Sequence, residues 1–185
     1  MAIRTSSSTT VRLNAKIESV NFMRLPYLAS AYEGCALTLT TAGLTALAGK
    51  GSTTVYLNFT PAGRSDAATV QRDPFREDNT DGLTIETGGL TGIMGTGFEV
   101  GVPATSTYWL NATMPSTSDV GKHVVVSDDT DTTNKGKFDY VVADTTNGGT
   151  GTSTLRGSIG NITRTENGIV YFTFRSAVVP IYTTL

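Results

Sequence analysis

The chain has 185 residues, 38% of them hydrophobic, with 14 Lys and Arg against 16 Asp and Glu. That length holds one large β domain or two small ones, and it buries roughly 70% of its unfolded surface without a disulfide or metal staple. The formal charge of −2 lacks the basic excess of nucleic-acid binders. One cysteine, Cys35, closes no intrachain disulfide, and one histidine, His123, leaves little for acid–base or soft-metal chemistry. No apolar run is long enough for a membrane span.

The remaining composition points to sheets. Threonine occurs 33 times and glycine 20 times; threonine is β-branched and suits a pleated surface. The fold class expected is mainly β, an antiparallel β-sandwich or small β-barrel with at most one short helix.

In chain order, residues 1–10 read as an extended Ser/Thr arm with no apolar period, and they show no apolar h-region of a signal peptide. Val11, Leu13, Ala15 and Ile17 alternate onto one face, and the phase then shifts to Val20 and Phe22, as at a bulge. Cys35 to Thr40 is a second candidate strand. Thr41 to Gly49 is the one predicted helix, with Thr41 as N-cap and Gly49 beyond its end. Thr53 to Thr60 alternates as a strand, and Tyr108 to Thr113 does so in part. Between them, Ala62 to Asp81 reads as a long polar surface loop, and Asp81-Gly82 as a hairpin signal. Gly88 to Gly101 is glycine-dense, with apolar Ile93, Met94 and Phe98.

The second half is more regular. Lys122 to Ser127 and Lys137 to Ala143 are strands bracketing an Asp/Thr loop, and 147–152 is a Gly/Thr connector. Asn167-Gly168 provides both positive-φ residues of a type I′ turn, so it predicts a two-residue hairpin between Ile159–Thr165 and Ile169–Arg175. The chain divides into an arm (1–10), an N-terminal β region (11–102), a C-terminal β-barrel or sandwich (103–177) and an apolar tail (178–185).

Charge is unevenly spread. Residues 1–24 carry Arg4, Arg12, Lys16 and Arg24 against Glu18, while 119–144 carry six Asp against Lys122, Lys135 and Lys137. A basic end can therefore dock on an acidic surface of a neighbour. The tail residues Val178, Val179, Ile181 and Tyr182 are more apolar than a free terminus needs. With Arg4, Thr5 and Arg12 they form the expected interface, contacting other chains rather than their own subunit.

Catalytic motifs are weak throughout. Ala48-Gly-Lys-Gly-Ser52 lacks the hydroxyl that must follow a P-loop lysine. The glycines of 92–97 precede no helix that would offer its N-terminus to a phosphate. Asp129 and Asp131 alternate as in calcium loops, but the glycine at the sixth position and the glutamate at the twelfth are absent. No GxSxG surrounds a serine. Three Asn-x-Thr sequons, at Asn58, Asn111 and Asn161, are what abundant threonine yields by chance. The chain is expected to be no enzyme and to hold no cofactor or metal.

From about Val102 to Arg175 the chain resembles the capsid decoration (cement) proteins of tailed bacteriophages. The Val-Gly-Lys-His-Val-Val-Val strand ending at Val126, the Lys-Phe-Asp-Tyr-Val-Val strand from Lys137, and the hairpin from Arg156-Gly-Ser-Ile-Gly to Asn-Gly-Ile-Val-Tyr-Phe172 carry this likeness to a small-barrel style. The resemblance implies a virion protein on the outer capsid surface, made in the bacterial host cytoplasm. It implies the major capsid protein and further copies of the chain, as a homodimer or homotrimer, as partners. Such a protein bridges capsid subunits and stabilises the shell. The alternatives are a phage tail-tube or fibre subunit, or a carbohydrate-binding β-sandwich stacking sugars on Trp109 and its neighbouring tyrosines.

Overall fold

The structure, a computed structural model, describes residues 12–14, 20–59, 90–111, 113–127, 131–142 and 153–184. The strands are β1 (Arg12–Asn14), β2 (Val20–Leu25), β3 (Ala36–Leu39), β4 (Thr45–Leu47), β5 (Tyr56–Asn58), β6 (Leu90–Pro103), β7 (His123–Val126), β8 (Phe138–Val141), β9 (Ser153–Glu166), β10 (Ile169–Arg175) and β11 (Val179–Thr184). The chain is mainly β, as its threonine content predicts, and its antiparallel sheet curls into a half-barrel.

Two strands of 14 residues each organise the sheet. β6 changes partners along its length. Its first half pairs with β2 and β5, where Ile93 faces both Phe22 and Leu57; its second half pairs with β1 and β10, where Val100 faces both Leu13 and Phe172. The glycine-dense stretch is therefore a kinked strand, with Gly97 at φ +82° between the halves. β9 behaves in the same way: Ser158 pairs with Val125 of β7 on one edge and Val179 of β11 on the other. Further along, β10 takes the edge that β11 leaves.

Alternation along these strands builds the core. Val100 and Val102 of β6, Val170, Phe172 and Phe174 of β10, and Val124 and Val126 of β7 all point into one apolar cluster. A second, smaller cluster gathers Leu25, Ala31, Cys35, Leu37, Tyr56 and Leu90. β3 and β5 lie between the two clusters. Ala36 and Leu57 join the main core while Leu37 and Tyr56 join the second, so both faces of these strands are buried. The main core draws on both sides of the expected division near Pro103, from Phe98 to Trp109.

Four local expectations need correction. The predicted helix over Thr41 to Gly49 is instead the turn and second strand of the β3–β4 hairpin, in which Leu39 pairs with Thr45. Gly43 takes φ +76°, the Thr40 hydroxyl accepts from the Leu44 amide, and Thr45 donates its hydroxyl to the Pro26 carbonyl. These threonine bonds serve the backbone better in a turn than in a helix. Val20 and Phe22 do not share a buried face, because Val20 is buried while Phe22 is exposed beside Phe59. In place of a strand from Tyr108, the chain leaves a turn at Tyr108 and makes an isolated parallel bridge from Trp109 to Phe138; Ala112 lies outside the described residues. The apolar tail is β11, a strand of the subunit's own sheet, so the backbone of 179–184 does not reach outward to neighbours in place of its own body. The loop over 62–81 and the Asp81-Gly82 signal lie outside the described residues.

The Asn167-Gly168 turn forms as expected. Both residues have positive φ, 51° and 73°, and Ile169 pairs directly with Glu166. A second glycine is fixed for a different reason: at Gly160 the backbone carbonyl of Thr173 occupies the place a Cβ would take. Gly168→Val should therefore cost about 1–3 kcal/mol through backbone strain. Gly160→Ala should cost more, because it must displace a backbone group rather than a flexible side chain. Thermal melts of the two variants check this, and a parental melting temperature for either would refute the register assigned to it.

Candidate interaction groove

The β9–β11 ladder sets Tyr182 opposite Leu155 and Pro180 opposite Gly157. Directly opposed residues share a face, so these four form one surface strip. The Val178 side chain fills the space over Gly157 left by the missing Cβ. Facing the strip is the turn from Lys50 to Thr53. The Val178 amide donates to the Thr53 carbonyl at 3.0 Å, and the Val55 amide donates to the Ser176 carbonyl at 2.8 Å. The Gly49 amide donates to the Ser52 hydroxyl at 3.1 Å and shapes the turn itself.

Between turn and ladder lies a groove of about 410 Å³, lined by the Lys50–Thr53 turn, Val126, Leu155, Arg156, Gly157, Val178 and Pro180. Leu155 is 53% exposed, and its cross-strand neighbour Tyr182 is 42% exposed. Two cations lie along the lining. The Arg156 guanidinium is mostly buried and paired with Asp139 of β8 at 3.0 Å, so its charge is balanced within the fold. Lys50 is exposed at the tip of the turn and forms no ion pair among the described residues.

The expected interface residues scatter relative to this groove. Val178 lines it and Tyr182 flanks it. Val179 is exposed on the opposite face of β11, and Ile181 is half-buried against Arg156. Arg12 is exposed on β1 opposite Gly101. Arg4 and Thr5 lie outside the described residues. The groove also takes in Lys50, Leu155 and Pro180, which the reading of the tail did not include. The Gly-Lys-Gly turn was visible in the sequence as a failed P-loop, but nothing local tied it to a strand a hundred residues away.

Other chemistry-bearing residues are engaged in holding the sheet together. His123 Nδ1 lies 3.2 Å from the Ser158 hydroxyl and 3.3 Å from Asn161 Nδ2, and Arg175 donates to Asn161 Oδ1 at 3.1 Å. Burial, and then the Arg175 charge, push the His123 pKa down. Ser158 is fully buried and donates to the Gly160 carbonyl. Its hydroxyl therefore braces β9 and has no surface on which to meet a substrate. Burial pushes the Cys35 thiol up to about 12, so the protonated form dominates. Trp109 is buried with Phe138 and Phe172 against its ring, and its Nε1 donates to the Pro103 carbonyl. It offers no sugar-stacking face.

Of the six aspartates of 119–144, the three among the described residues, Asp119, Asp131 and Asp139, are all used internally. Asp139 pairs with Arg156, and Asp119 accepts from Lys122 Nζ at 2.7 Å and from the Ser116 amide and hydroxyl. Asp131 accepts from the Thr133 amide, while Asp128 and Asp129 of the candidate calcium loop lie outside the described residues. Among the described residues no group of three or more His, Cys, Asp or Glu gathers as a metal site would require.

No protein-family model, curated protein or solved structure matches this chain. Its function is read from its own residues.

Two predictions follow from the ion pairs. Asp139→Ala strands a mostly buried guanidinium and should destabilise the fold by about 1–3 kcal/mol. In the Asp139→Ala, Arg156→Met double variant the loss should be smaller than the sum of the single losses, and denaturant melts of the full cycle measure it. Lys122 first, and then Ser116, hold the Asp119 carboxyl below the usual carboxylate range. Its stabilisation is thus complete above the unfolded value near pH ~4 and is lost as pH falls through the lower folded value. Asp119→Asn should lower the melting temperature at neutral pH and flatten its acid-side decline. Parallel melts across pH 2–7 would expose a wrong assignment as two superimposable profiles.

Proposed function

We propose that this chain is a non-enzymatic structural subunit that docks on an assembled protein shell, as a capsid decoration protein does. The observation that carries the reading is the groove beside β11, where Leu155 and Tyr182 stand exposed on regular strands. Apolar side chains held open on a rigid ladder cost solubility and are characteristic of contact surfaces. On the groove face of β11 the positions are the uncharged Pro180 and Tyr182; Pro180 blunts the strand edge against backbone pairing, so contact there runs through side chains. The polar residues that could carry chemistry, His123, Ser158 and Arg156, are bound into the sheet. The sugar-binding alternative loses its best platform with Trp109 in the core. No helix among the described residues is long and apolar enough to cross a membrane.

The purified chain should co-sediment saturably with assembled phage heads. A Leu155→Asp, Tyr182→Asp variant, altered only at exposed positions, should lose at least about tenfold in affinity while melting like the parent. Saturable binding to a glycan array, or growth into rings or tubes with no binding to heads, would overturn the decoration reading.

A further inference from the structure

We infer that the groove receives an extended, apolar peptide segment of a partner protein, with a carboxylate of that segment paired to Lys50. The inference rests on the docking reading above and adds the chemistry of what is docked. The volume, about 410 Å³, falls within the range of ligand clefts, roughly 300–1,000 Å³. Val126, Leu155, Val178 and Pro180 make its lining mainly apolar, so the occupant must bring apolar side chains. A second copy of the chain fits poorly. A stable dimer buries about 800 Å² on each partner, whereas this face presents a slot flanked by Leu155 and Tyr182. Twofold pairing would set one concavity against another.

Charge then narrows the partner. Arg156 is balanced by Asp139, which leaves Lys50 as the cation on the groove with no ion pair among the described residues. An acidic group meeting it gains attraction without displacing an existing bond, and it fixes register more than it adds affinity. The extended course follows from the wall. Among the described residues no strand pairs the outer edge of Val179–Tyr182, and the Thr54–Ala177 bridge stops just before it. Pro180 brings no N–H to that edge, so a segment laid along it is held chiefly by alternate side chains pointing into the groove.

The test is a random-peptide display selection on the full chain, counter-selected on Leu155→Asp. Enriched peptides are expected to carry an Asp or Glu among alternating apolar positions. Their affinity, measured by fluorescence anisotropy, should fall about tenfold or more with Lys50→Glu and hold within about twofold with Lys50→Arg. Peptides indifferent to Lys50→Glu would overturn the charge pairing, and failure to enrich anything specific to the intact groove would overturn the site. Self-association abolished by Leu155→Asp would assign the groove to a second copy, and displacement of bound peptide by palmitate would assign it to a lipid chain. The selection uses no shells. Groove-specific peptides from a chain that ignores phage heads would therefore remove the virion reading and leave this one standing.

Discussion

Everything in this fold depends on β6 belonging to two strand neighbourhoods at once. Its first half lies between β2 and β5 and its second between β1 and β10. The change happens at Gly95 and Gly97, where positive φ turns the strand without ending it. Ser176 seals the bend: its amide donates to the Gly95 carbonyl at 2.9 Å, and its hydroxyl accepts from the Gly95 amide at 3.0 Å. The residues that follow, 177 and 178, then meet Thr54 and Thr53. The kink thus fixes where β11 begins and where the Lys50–Thr53 turn sits. Without it the sheet would lie flatter and the groove would have one wall.

Electrostatics in the molecule are largely internal. Arg156 of β9 reaches across β7 to Asp139 of β8, Arg164 of β9 reaches across β10 to Glu99 of β6 and along its own strand to Glu166, and Lys122 with Asp119 braces the turn before β7. Arg164 also stacks on the Tyr171 ring, 3.6 Å from its centroid. The exposed Arg164–Glu166 pair contributes little, whereas the mostly buried Arg156–Asp139 pair cannot lose one partner without leaving an uncompensated charge. These pairs also quiet the surface. A net charge of −2, with Lys122, Arg156 and Arg164 each neutralised by a carboxylate nearby, leaves little long-range field.

Legibility in the sequence followed the range of the interactions involved. Asn167-Gly168 was readable because two successive positive-φ positions have few other solutions. The strands around it were readable because one face is buried and the other is wet. Thr41 to Gly49 misled because its apolar spacing fits a helix, while the decisive bonds run from Thr40 to Leu44 and from Thr45 to Pro26. Trp109 could be read as a core anchor, set on the opposite strand face from Tyr108, but the partners that bury it, Phe138 and Phe172, are distant in the chain and could not be named. The groove was illegible for the same reason. Its lining comes from residues 50–53, 126, 155–157 and 178–180, and only the Thr53–Val178 backbone bond reveals that they meet.

The tail bears most directly on function. Read as a free apolar end, it would dock by folding on its partner, at the cost of ordering the segment during binding. As β11 it is already ordered on β9, with Tyr182 and Leu155 held together at one register. That arrangement moves the ordering cost from binding to folding. A preorganised ladder suits a subunit that must engage many identical sites on a repetitive surface, because every copy meets the same geometry and gains from the same small set of contacts. The apolar residues that drew attention in the sequence are thus held by the strand that carries them, with Leu155 and Gly157 of β9 set opposite Tyr182 and Pro180.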